Sequence, residues 1–102
     1  MNDRQSLTLR LIEKSGFTIM CTLPGDRIKT LIRYPEGIYC LLNIEESGSL
    51  SSRIDYYSTL SELQSNVTES AFLELLQACS VNDTLSEDER IDFSYALSLL
   101  SK

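Results

Sequence analysis

Three turn signals set about one strand length apart constrain this chain more than anything else in it. They are "PGD" at 24–26, "PEG" at 35–37 and "ESGS" at 46–49. Between and after them run "RIKTLIRY", "IYCLLNIE" and "LSSRIDYYSTL". Strands joined by so few residues have no room for a crossover, so neighbours must be antiparallel. In the first run Ile28, Thr30, Ile32 and Tyr34 share one side, with Lys29, Leu31 and Arg33 on the other. The second is apolar on both sides, the mark of a central strand. In the third, Ile54, Tyr56 and Ser58 oppose Arg53, Asp55 and Tyr57. Pro35 presets φ and Gly37 supplies the unusual dihedral of the tight connection between the first two. The reading is a meander.

The period then changes. In "NVTESAFLELLQACS", Phe72, Leu75, Leu76 and Cys79 fill the i, i+3, i+4, i+7 template of an amphipathic helix at about 66–80. Asn66 with Glu69 makes a capping box, and Thr68 is a second candidate cap. Such a helix covers one face of the sheet, which an antiparallel sheet needs to bury its apolar side. Leu73 and Ala78 widen its apolar face beyond what one sheet requires. That width points to a homodimer with Phe72, Leu73, Leu75, Leu76 and Cys79 near the two-fold axis.

The two ends are ambiguous. In "SLTLRLIEKSGFTIMCTL", Leu7, Leu9 and Leu11 alternate with polar residues, "EKSG" turns, and Phe17, Ile19, Cys21 and Leu23 resume the same parity. That is a hairpin pattern. The competing reading is a helix over 3–14, capped by Asp3, with Leu7, Leu11 and Ile12 inward. At the other end, "RIDFSYALSLLSK" alternates Ile91, Phe93, Tyr95, Leu97 and Leu99 with small or polar residues. A helix there would spread apolar residues around most of its circumference, although Ser86 and Glu89 stand at capping-box spacing. The strand reading is favoured, with "SEDE" as the acidic tip of the loop leading into it. The fold expected is α+β: one domain over 1–102, an antiparallel meander sheet covered by the helix, and a returning C-terminal strand.

Chemistry is sparse. There is no histidine, which removes Ser-His-Asp and Cys-His catalysis and the commonest transition-metal ligand. Cys21, Cys40 and Cys79 are odd in number, widely spaced and set among apolar neighbours, so they read as small core residues. The acidic runs Glu45–Glu46 and Glu87–Asp88–Glu89 sit at expected turns, where carboxylates are solvated. "NVT" at 66–68 matches a glycosylation acceptor by chance. Neither an enzyme nor a cofactor or metal is expected. Fifteen Asp and Glu against nine Lys and Arg leave a net charge of −6, which disfavours nucleic acid and anionic membranes. No apolar run approaches the ~20 residues of a membrane span, and the N-terminus lacks a signal-peptide pattern, so a cytoplasmic protein is expected.

The order of "IKTLIRYPEGIYCLLNIEESGSLSSRIDYYSTLSEL", "ESAFLELLQACS" and "LSEDERIDFSYALSLL" resembles the class I chaperones of bacterial type III secretion, the Tir-chaperone family. The resemblance is one of pattern and covers roughly residues 3 to 100. Members run helix, three-strand meander, helix, two strands, helix. The resemblance therefore implies that "DRQSLTLRLIEKSGF" is a helix. It implies a bacterial, virulence-associated cytoplasmic homodimer that performs no chemistry. Each dimer would hold a disordered N-terminal segment of an exported effector ready for secretion. The contact residues it implies are Leu7, Leu11, Ile12, Ile32 and Tyr34. The physics suits such a role: strand edges pair main chain with main chain, and apolar pockets take alternate side chains. The alternative from charge alone is a small acidic immunity protein that blocks a basic toxin or enzyme by complementarity.

Overall fold

The structure, a computed structural model, describes residues 1–51 and 54–100. Its elements in chain order are α1 (Asp3–Lys14), β1 (Thr18–Leu23), β2 (Ile28–Arg33), β3 (Tyr39–Ile44), β4 (Asp55–Tyr57), α2 (Leu60–Asn66), α3 (Glu69–Ser80) and α4 (Glu87–Leu100). The α+β class and the antiparallel meander stand as expected, with strand order β1-β2-β3-β4. The turn at Tyr34–Ile38 closes by Tyr34 N–H to Ile38 O at 2.9 Å and Gly37 N–H to Tyr34 O at 2.8 Å. β3 lies inside the sheet, and the two sides of its apolar run are buried in different cores.

One core, under α1, holds Leu9, Ile28, Ile32, Cys40, Leu42 and Ile44. The other holds Leu31, Leu41 and Tyr57 from the sheet against Leu63, Phe72, Leu75, Leu76, Cys79, Leu85 and Phe93. The sheet is thus sandwiched, with one helix on one face and three on the other. In β1 the register slips between Ile19 and Cys21, so Met20 is an extra residue. The bulge turns both Met20 and Cys21 toward α3, while Ile19 stays on the α1 side. The single parity expected for Phe17, Ile19, Cys21 and Leu23 is therefore broken.

Residues 3–14 are helical, which corrects the hairpin reading. Asn2, rather than Asp3, is the cap: its side chain accepts from Gln5 N–H at 2.9 Å, and Gln5 Oε1 accepts from Asn2 N–H at 3.1 Å. This reciprocal box satisfies donors that a helix start leaves orphaned. Gln5, Leu9 and Ile12 face the sheet, whereas Leu7 and Leu11 face solvent, 52% and 55% exposed. The turn after β3 anchors the helix. Thr8 Oγ1 donates to Gly48 O at 2.6 Å, and a Cβ on Gly48, at φ +90°, would meet Arg4 O at 2.9 Å.

The C-terminal segment is also helical, so among the described residues no strand returns to the sheet. Glu89 N–H bonds Ser86 Oγ at 3.2 Å, and the "SEDE" carboxylates occupy the first turn, where the helix dipole favours them. They are not a loop tip. Burial follows the helical period: Phe93 is 2% exposed and Ala96 and Leu97 pack beside it, while Ile91, Tyr95 and Leu99 point outward. The wide apolar spread that argued against a helix is this outward ridge. Helix α2 replaces the end of the expected third strand. Thr59 Oγ1 accepts from Glu62 N–H at 3.1 Å, and Glu62 Oε2 accepts from Ser58 N–H at 2.9 Å. Arg53 lies outside the described residues. The cap of α3 is Thr68, which accepts from Ala71 N–H at 3.1 Å, and Asn66 closes α2 instead.

Candidate binding surface

Strand register decides which side chains meet on the α1 face. Tyr56 pairs with Cys40, Cys40 with Ile32, and Ile32 with Ile19, giving one row across all four strands. Helix α1 lies closest to β1, at the edge farthest from β4. The β4 side of this face is accordingly open, and Tyr56 is 54% exposed.

Aromatic rings fill the opening. Phe17 and Tyr34 lie with centroids 4.7 Å apart at 37°, and Tyr34 meets Tyr56 edge-on at 5.9 Å. Ring pairs in this range add about 0.5–1.5 kcal/mol each beyond their buried area. A hydrogen bond to Tyr56 and desolvation push the Tyr34 phenol up to about 12, so its hydroxyl stays neutral at physiological pH. Beneath them the Cys40 thiol is pushed up to about 11 by burial, with Asp55 adding to the shift. It is inert as a nucleophile near neutrality. Ile12 and Ile54 pack half-buried on the same core as Phe17 and Tyr34. The result is a cluster of tilted aromatic rings beside a three-residue edge strand.

Of the five residues expected to touch a partner, the structure brings Ile12 and Tyr34 to this patch. Ile32 is sealed in the core below, and Leu7 and Leu11 lie on the solvent side of α1, apart from the rings. Phe17 and Tyr56 were missed. Each stood at the right strand parity, but only the pairing of Tyr56 with Cys40 places it near Tyr34. Among the residues expected at a two-fold axis, Phe72, Leu75, Leu76 and Cys79 are buried in the chain's own core, and only Leu73 stays half-exposed. Helix α4 packs along α3, and Ala78 packs partly buried against the same core.

Two further features border the sheet. An open groove of about 470 Å³ follows the free edge of β1, walled by Leu9, Ile19, Cys21, Ala78, Val81 and Asn82 among others. Asn82 Nδ2 donates to Met20 O at 2.7 Å and to Ile19 O at 3.4 Å, so a side chain already guards part of that edge. At the far end of β2, Arg33 Nη2 meets Glu89 Oε1 at 2.8 Å, tying the sheet to α4. Glu45 is likewise paired, with Arg27 at 3.0 Å. Within the described residues no helix is long and apolar enough to cross a membrane.

Fold and surface together define an α+β protein with a partly exposed aromatic cluster on one sheet face. Compared with family models, with curated proteins and with solved structures, the chain matches none.

Proposed function

We propose that this chain is a non-enzymatic, cytosolic polypeptide-binding protein, a chaperone that holds a disordered segment of an exported protein in extended form. The observation that carries the reading is the open aromatic patch of Phe17, Tyr34 and Tyr56 beside the short edge strand β4. Extended peptides dock by adding main chain to such an edge while side chains settle on the adjoining face. Aromatic rings suit the task because they offer large contact area at low entropic cost. The resemblance to secretion chaperones supports the reading through the N-terminal helix and the meander. It loses the C-terminal strand pair, since α4 stands there instead.

A second reading has its own observation. Glu87, Asp88 and Asp92 are exposed together on the N-terminal half of α4, an acidic surface of the kind an inhibitor presents to a basic toxin. Salt and proteolysis separate the two. A partner captured from native cytosol should stay bound above ~0.1 M salt and, when digested in the complex, leave one short protected segment flanked by cleaved chain. A partner that is compact and protease-resistant when free, and whose association slows steeply with salt, overturns the chaperone reading.

A further inference from the structure

Cys21 and Cys79 reach the same point from different layers. Cys21 follows the β1 bulge, and that extra residue is what turns it to the α3 side. Cys79 lies in the last turn of α3 and is fully buried in the same cluster. Ala78 and Cys79 are short, and α3 approaches β1 to within 8 Å, Cα to Cα. The two thiols lie in the same buried cluster and each shifts the other's titration, Cys21 downward and Cys79 upward. Cys21 also lines the groove along the β1 edge, so a small solute reaches it although little of its surface is open. Cys40 is on the other face of the sheet, in the α1 core, and is separated from both by the sheet itself.

We propose that Cys21 and Cys79 are a dithiol that closes to an intramolecular disulfide under hydrogen peroxide, clipping β1 to α3 and leaving Cys40 as a thiol. The inference is independent of the binding role. Cys21 is the attacking sulfur for two reasons. It alone faces the groove, and a hydrogen bond with Cys79 holds its thiol below the ordinary range, while that bond and burial push Cys79 up. The Cys21 thiolate attacks one peroxide oxygen, the O–O bond breaks, and hydroxide leaves to be protonated to water. Cys21 is now a sulfenic acid. The Cys79 sulfur then attacks the Cys21 sulfur and gives up its proton, and the sulfenic oxygen leaves as a second water. Two thiols lose two protons and two electrons, and one peroxide becomes two waters. Disulfides require Cα atoms about 4.4–6.8 Å apart, and α3 and β1 bring Cα atoms within 8 Å of one another.

The test is peptide mapping of the folded full-length chain after mild peroxide treatment, with free thiols alkylated on denaturation. The expected result is a Cys21–Cys79 cross-linked peptide, with Cys40 alkylated. The unfolding temperature should rise by roughly 10 °C and fall back on reduction. In Cys79→Ser, dimedone should label Cys21 in place of the cross-link. Cys40→Ser should form the bond as well as the parent chain. A disulfide containing Cys40, a bond between chains, or sulfinic acid at Cys21 beside a free Cys79 overturns the proposal. The mapping of the unmutated chain decides even if a variant does not fold.

Discussion

Replacing Phe93 by alanine tests the helical C-terminus, because strand and helix assign different partners to the same apolar row. In the helix Phe93 is 2% exposed, whereas Ile91 and Tyr95 are 56% and 66% exposed. A buried Phe removes about 200 Å² from water, and at ~25 cal/mol per Å² that is about 5 kcal/mol. Alanine retains part of this and a cavity opens, so the expected cost is about 3–4 kcal/mol. A domain of this size holds about 5–15 kcal/mol in all, so the variant folds with little margin. With a urea slope near 1.5 kcal/mol per M, the unfolding midpoint falls by about 2 M. Ile91→Ala and Tyr95→Ala should each cost less than about 1 kcal/mol. A strand would bury all three residues on one face. Equal losses across the three, or a loss below about 1 kcal/mol at Phe93, refute the helical packing.

Other expectations follow from single contacts. Gln5→Ala removes the Gln5 half of the α1 capping box and the Gln5 Nε2 bonds to Asp26 O at 3.2 Å and Ile44 O at 3.4 Å. A loss of about 1–3 kcal/mol in urea unfolding is expected. Glu89→Gln weakens the half-buried link to Arg33. A double-mutant cycle with Arg33→Gln should give a coupling near 1 kcal/mol, modest because both groups keep some solvent contact. Raised above its unfolded value near 10, Tyr34 contributes stability that is fully present below about pH 10 and lost as pH climbs through about 12. Phenolate absorbance should therefore show the Tyr34 signal, identified by its loss in Tyr34→Phe, titrating late near pH 12, and Tyr56→Phe should return it toward the ordinary range.

The sheet was legible because its turns and alternations are local: "PGD", "PEG" and "ESGS" set the strand ends without help from distant residues. The amphipathic core of α3 was legible for the same reason. The two ends misled by a shared mechanism. Leu7, Leu9 and Leu11 alternate as in a strand, yet only Leu9 is buried; the outer leucines are exposed and carry no periodic information. Ile91, Tyr95 and Leu99 did the same at α4. The deciding signals were caps, Asn2 with Gln5 and Ser86 with Glu89, which outweigh a short apolar alternation because they satisfy backbone donors directly. The aromatic patch was half visible: Tyr34 and Ile12 were singled out, whereas Tyr56 and Phe17 needed strand register and the path of the chain after α1. The β1 bulge left no mark in the pattern, and it alone turns Cys21 toward Cys79.

The central claim is that a partner's extended segment lies on the aromatic patch, and site-directed photo-crosslinking tests it most directly. A photoreactive residue in place of Tyr56 should capture the partner and map to one short stretch of its chain. The same group at Asp92 on α4 should capture nothing. Cross-links from Asp92, with none from Tyr56, would contradict the account.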